Sequence, residues 1–117
     1  MAMSILQLDL GHCFYKGCPN PPSEIHYVFP EADRDQSDYD GLWIHVCPSC
    51  AGKIRGDHRR DATLKRLAQL KWEDLYKART ITHQVTLGSL EEVNAYVDRL
   101  NREALAVWIK RYGSNYA

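Results

Sequence analysis

The sequence predicts a small α+β fold: a β-hairpin pinned by cysteines, followed by helices. Three features carry that expectation. All four cysteines fall in two close pairs, Cys13-Phe-Tyr-Lys-Gly-Cys18 and Cys47-Pro-Ser-Cys50. Two short runs rich in β-branched and aromatic residues, 24–29 and 42–46, lie between the pairs. After Cys50 the apolar residues recur at helical spacing, most clearly beyond Ser89.

The cysteines organise the rest. Each close pair, held by a tight turn, supplies two sulfurs to one side of an ion, and folding brings the pairs together as a tetrahedral four-thiolate site. Gly17, Pro19 and Pro48 provide the turn chemistry. The expected occupant is a structural Zn2+ held by Cys13, Cys18, Cys47 and Cys50, with iron the less favoured ion. Disulfides would suit a secreted chain, but residues 1–9 have neither the basic start nor the apolar core of a signal peptide. No stretch is long and apolar enough to span a membrane. A reducing cytoplasmic setting is therefore expected, where paired cysteines more often bind metal than each other.

At 117 residues and 44% hydrophobic content the chain predicts a single domain, 1–117. Within it, 12–60 would be the zinc core and 61–117 a helical part. The net charge is zero, but the halves differ. Residues 1–50 have two basic and seven acidic side chains, whereas 51–117 have thirteen basic and eight acidic. Bulk charge thus announces no nucleic-acid partner, while a local basic face remains open.

Taken in order, residues 5–10 are apolar and partly alternating, with Leu6, Leu8 and Leu10 on one side, and read as a strand or a packing arm. Asn20-Pro-Pro-Ser23 is a turn, because neither proline can donate to a ladder. Residues 24–29 form a strand stopped by Pro30, and 42–46 a second that runs into Cys47, together an antiparallel hairpin. Between them, 31–41 contain five carboxylates and read as a solvated loop without the ligand spacing of a calcium loop.

Residues 51–56 start a short helix closing on Gly56. Asp61 is the expected N-cap of a helix through Leu64, Leu67, Ala68 and Leu70, extended past Trp72 with Leu75 and Tyr76 on its buried face. Residues 80–87 read as extended. Ser89-Leu-Glu-Glu92 is a capping box opening a final helix, Val93, Val97, Leu100, Ala104 and Val107 or Trp108 form its stripe, and Gly113 ends it. Such a stripe is core or an oligomer contact, so helix 90–112 is the place where copies would associate.

This order of parts resembles the zinc-bearing HNH (ββα-metal) nucleases of the small phage-encoded type, over about residues 12–60. The runs Glu24-Ile-His-Tyr-Val-Phe-Pro30 and Asp40-Gly-Leu-Trp-Ile-His-Val-Cys-Pro-Ser-Cys-Ala51 carry the likeness. The closing Ala106-Val-Trp-Ile-Lys-Arg-Tyr-Gly113 is loosely similar to the tail of small phage members. The resemblance implies a treble-clef core whose thiolate zinc is structural. It also implies a second divalent ion such as Mg2+ or Mn2+, held by histidines, that stabilises charge on the scissile phosphate.

Carried over residue by residue, His26 takes the place of a ligand to the catalytic ion. Tyr27 stands where the general base sits, and a tyrosine, with an ordinary pKa of about 10, is a poor base at neutral pH. Gly41 or Leu42 stands in place of the asparagine, Ala51 in place of the trailing histidine, and Arg55 one turn on. A rearranged catalytic site would use His26 and His58 with Asp57 or Asp40, and His12 or His45 approaching from the knuckles.

The expected function is association with nucleic acid, DNA or RNA, through Lys53, Arg55, Arg59, Arg60, Lys65 and Arg66. A metal-dependent endonuclease centred on His26 is the alternative. A third class is a protein-interaction or inhibitor module that presents the acidic run 31–40 to a basic partner.

Overall fold

A computed structural model describes residues 3–81 and 88–117. β1 (Glu24–Tyr27) and β2 (Trp43–Val46) pair antiparallel, with Glu24 opposite Val46 and Tyr27 opposite Trp43. Backbone bonds extend the pairing at both ends, Ser23 donating to Val46 and Val28 to Leu42. Trp43, Ile44 and Val46 are all buried, so β2 is covered on both faces. The N-terminal arm supplies part of that cover. It forms no strand: Ser4 Oγ donates to the Trp43 carbonyl, Ile5 N–H to Gly41, and Leu6 is buried. Leu8 is 96% exposed, so the expected alternation of Leu6, Leu8 and Leu10 fails and the arm packs irregularly.

The connection between the strands is a helix, α1 (Arg34–Asp40), where a loop was expected. Asp33 caps it by accepting the amides of Asp35 and Gln36, and Gly41 closes it at φ 71°. A Cβ at Gly41 would also run into the Met3 carbonyl, so both the backbone angle and the crossing arm require glycine.

α2 (Pro48–Gly56) begins directly at the second cysteine pair, earlier than expected, and α3 (His58–Thr80) follows after one residue. That residue, Asp57, is the N-cap of α3, accepting the amides of Arg59 and Arg60; Asp61 lies in the first turn instead. The boundary drawn at 60/61 therefore falls inside α3. The helix runs unbroken through Trp72 and buries Leu64, Ala68, Gln69 and Trp72. Leu75 is 37% exposed, and Tyr76 is half-buried, stacked on Trp72 at 5.3 Å. Thr80 belongs to the helix, and the rest of the expected extended run lies outside the described residues after Ile81.

α4 (Leu90–Tyr112) starts as expected: Ser89 Oγ accepts the Glu92 amide at 3.2 Å, and Glu92 reaches back to the Gly88 amide at 3.1 Å. Its buried stripe is Leu100, Ala104, Trp108 and Tyr112, while Val93 and Val97 stay exposed. Contact with the core is thus confined to the C-terminal half. There Phe29 packs on Trp108, Tyr112 and Tyr116 at 5.4, 4.8 and 5.3 Å, and Trp72 on Trp108 at 5.5 Å. Asp40 joins α1 to this cluster, accepting from Arg111 at 3.0 Å and Tyr112 at 2.6 Å. No helix among the described residues is long and apolar enough to cross a membrane.

Candidate metal centre

The two cysteine pairs meet at the Val46 end of the hairpin. All four sulfurs lie within 4.8 Å of one another, with Cys18 at 3.8 Å from both Cys47 and Cys50. Every cysteine is free, and these separations are far longer than a disulfide's ~2.05 Å. A tetrahedral ion with metal–sulfur bonds of ~2.3 Å would set its ligands ~3.8 Å apart. The cluster can therefore hold a metal ion such as zinc.

Each knuckle is built by local rules. In the first, the Cys18 amide donates to the Tyr15 carbonyl at 3.1 Å, across a turn that needs Gly17 at φ 81°. Phe14 N–H donates to the His45 carbonyl at 2.9 Å and sews this turn to β2. In the second, Cys47 is the N-cap of α2 and Pro48 opens the first turn. The Cys47 sulfur accepts the Cys50 amide at 3.4 Å, and the Cys13 sulfur accepts the Cys47 amide at 3.4 Å.

These contacts pull the thiols in opposite directions. The Cys50 amide, with the Asn20 side chain behind it, lowers the Cys47 pKa. Burial, with the neighbouring sulfurs, raises that of Cys50. Four crowded sulfurs resist becoming thiolates together, and a divalent cation would remove that resistance.

The candidate catalytic residues lie apart from the sulfurs. His26 and His58 line one cavity of about 450 Å³ together with Arg55, Asp61 and Lys65. His26 Nε2 is buried without a hydrogen-bond partner, and burial lowers the His26 pKa. His58 is exposed at the cavity mouth. The carboxylate that joins them is Asp61. Asp57 is occupied as a helix cap, and Asp40 lies in the clasp with Arg111 and Tyr112.

The other histidines are engaged elsewhere, His45 Nδ1 against the Leu10 carbonyl at 3.1 Å and His12 against Asp9 at 2.6 Å. Tyr27 is committed too: its hydroxyl donates to Asp38 at 2.7 Å, which raises its pKa, and the Arg34 guanidinium lies over its ring at 3.9 Å. A tyrosine so held is no base. Among the described residues, the cysteine cluster alone brings three or more metal-ligating side chains within mutual reach. The second ion expected at the histidines thus has no assembled ligand set there.

The basic residues divide into free and engaged. Lys53, Arg59 and Arg66 are exposed and form no ion pair among the described residues. Arg55 lies 3.6 Å from Glu24 and Arg60 3.4 Å from Asp57, both on exposed side chains. Lys65 is different: only 16% of its side chain is exposed, and it sits between Asp61 and Glu31 at 3.2 and 3.6 Å. The acidic run is engaged as well. Glu31 meets Lys65, Asp33 caps α1, Asp38 holds Tyr27, and Asp40 is buried.

Beside the sulfurs lies a depression of about 450 Å³ lined by Lys16, Asn20, Ser49, Lys53 and Arg60 with Cys18 and Cys50. Neither Lys16 nor Asn20 is among the residues expected at a site. Lys16 lies between the two cysteines of the first knuckle and Asn20 two residues after the second, which was the available signal. Comparison of the chain with protein-family models, curated proteins and solved structures returned no match.

Proposed function

We propose that this chain is a treble-clef, HNH-like zinc protein that binds nucleic acid and uses its metal as a staple. Four sulfurs at tetrahedral spacing favour zinc and leave the ion no open position for chemistry. The observation that supports nucleic-acid binding is the cationic depression beside the cluster. Lys16, Lys53 and Arg60 line it, and Arg59 extends the charge along α3. Each phosphate that such a surface neutralises releases counterions, so affinity should fall steeply with salt.

Anisotropy of a labelled DNA titrated at several salt concentrations tests this reading. Changing Lys53 and Arg59 together to alanine should flatten the slope of log affinity against log salt by about two. Salt-independent binding, or none, would defeat the proposal.

A second reading is favoured by one observation. The unpartnered Nε2 of His26 sits in a cavity shared with His58 and Asp61. A divalent ion drawn there with a bound nucleic-acid phosphate would make the protein a metal-dependent endonuclease with a rearranged site. Nicking of supercoiled plasmid with Mg2+, Mn2+ or Ni2+, abolished in His26→Ala, would establish that activity. Intact plasmid with all three ions would leave the binding role alone.

A further inference from the structure

Next to the cationic depression the surface changes character. A cleft of about 240 Å³ opens between the first knuckle and α3, walled by Phe14 and Tyr15 and floored by Leu64 and Leu67. The two rings meet edge to face at 5.3 Å, so each keeps one side fixed by the other. Both rings are half-buried, which holds them in place but leaves part of each open. Arg59, Arg60 and Thr63 form the opposite rim, all on the exposed face of α3.

The cleft and the depression share a wall. Tyr15 and Arg60 line both, with the Arg60 guanidinium 5.9 Å from the Tyr15 ring. An apolar, aromatic slot therefore stands one side chain away from a pocket carrying Lys16 and Lys53. This is the layout of a nucleotide, a flat apolar base joined to an anion.

We infer that the Phe14–Tyr15 cleft takes an unstacked base of single-stranded nucleic acid while Lys16, Lys53 and Arg60 hold the adjoining phosphate. The inference rests on the nucleic-acid reading above and narrows it to the single strand. Bases in a duplex are already stacked on each other and cannot enter a side slot without being unpaired. An unpaired strand offers its bases freely, and aromatic stacking tolerates any base. An acidic peptide fits less well. Between the Arg59–Arg60 rim and the Phe14–Tyr15 wall the slot is lined by Leu64 and Leu67, an apolar floor that suits a flat ring and gives a run of carboxylates nothing to pair with. DNA and RNA share the required chemistry, and the test separates them.

Anisotropy at one fixed salt would compare labelled oligothymidylate, oligouridylate, the matching duplex, and an abasic strand with the same phosphates. The single strands should bind about tenfold or more tightly than the abasic strand and the duplex. Phe14→Ala, at a ring that lines the cleft and not the depression, should remove that advantage, with metal content measured to show that the knuckle persists.

Thr63→Glu, at an exposed rim position, is the second variant. It should weaken single-strand binding to a similar degree through a charge at the slot. Equal affinity for base-bearing and abasic strands, or both variants without effect, would overturn the cleft while salt-dependent binding kept the broader reading. Absence of binding to every probe would overturn both.

Discussion

At the Val46 end of the hairpin four sulfurs converge, and beyond Tyr27, at the other end, aromatic rings converge on Phe29. The sulfur end draws on a short span of chain and on few large side chains. Its cohesion would come from an ion and would depend on the thiols losing their protons. The aromatic end gathers Phe29, Trp72, Trp108, Tyr112 and Tyr116 from distant parts of the chain and seals them with the buried Asp40. Its cohesion comes from buried area and fixed hydrogen bonds. The contrast teaches that an end held by an ion would answer to metal supply and to acid, whereas the aromatic end answers mainly to substitution.

The sharpest way to break this contrast is Cys47→Ser. It should release the ion and melt the hairpin and α2, since structural zinc contributes on the order of 10 kcal/mol of apparent folding free energy. Unchanged metal content and melting temperature would mean that the sulfur end stands without an ion. Trp108→Ala should cost about 3–5 kcal/mol in urea unfolding yet keep the metal, because the cavity opens at the far end. Loss of metal in this variant would make the two ends a single cooperative unit.

Asp40→Ala is expected to cost about 3 kcal/mol, by leaving the Arg111 guanidinium and the Tyr112 hydroxyl without their acceptor. The same clasp has a pH signature. Burial, followed by the bond to Asp40, raises the Tyr112 pKa above that of a free tyrosine. Above pH ~10 the unfolded chain releases this proton and the folded chain keeps it, so the stabilisation present below that pH is lost as pH rises. Thermal melts in alkaline buffers should show the decline, and Tyr112→Phe should flatten it. Smallest of all, Lys53→Ala and Arg59→Ala should shift stability by no more than about 0.5 kcal/mol. A larger loss would mean that these exposed cations hold the fold together as well as any ligand.

The sulfur end was legible because its rules are local. Two spacings of cysteine, a Gly17 and a Pro48 dictate two knuckles whatever the rest of the chain does. Both strands and the Ser89 capping box were legible for the same reason. What escaped the reading was long-range. Residues 31–41 look like a loop because five carboxylates repel one another, yet Asp40 is neutralised by Arg111, and Glu31 by Lys65.

The signals for α1 were present in Asp33, Gln36 and Gly41 but were outweighed by charge. Asp57 and Asp61 both suit an N-cap, and only the immediate end of α2 at Gly56 decides for Asp57. Gln69 is buried because its side-chain carbonyl accepts the amides of Tyr116 and Ala117, a partnership no periodicity encodes. For the candidate site, the four cysteines that cluster were all named, and His26 and His58 do share a cavity. Asp61 and the Phe14–Tyr15 wall were missed, because both depend on where α3 packs.

Phe29 lies early in the chain, and the rings that pack on it lie late, from Trp108 to Tyr116. The sulfurs require nothing beyond Cys50. As the chain leaves the ribosome, the knuckles and hairpin can be finished while Phe29 is still bare and Asp40 still uncovered. The order of manufacture would make an ion at the sulfurs the first partner acquired and the aromatic cluster the last. With an ion at the sulfurs, α4 would dock onto a set hairpin, and without one onto a loose hairpin.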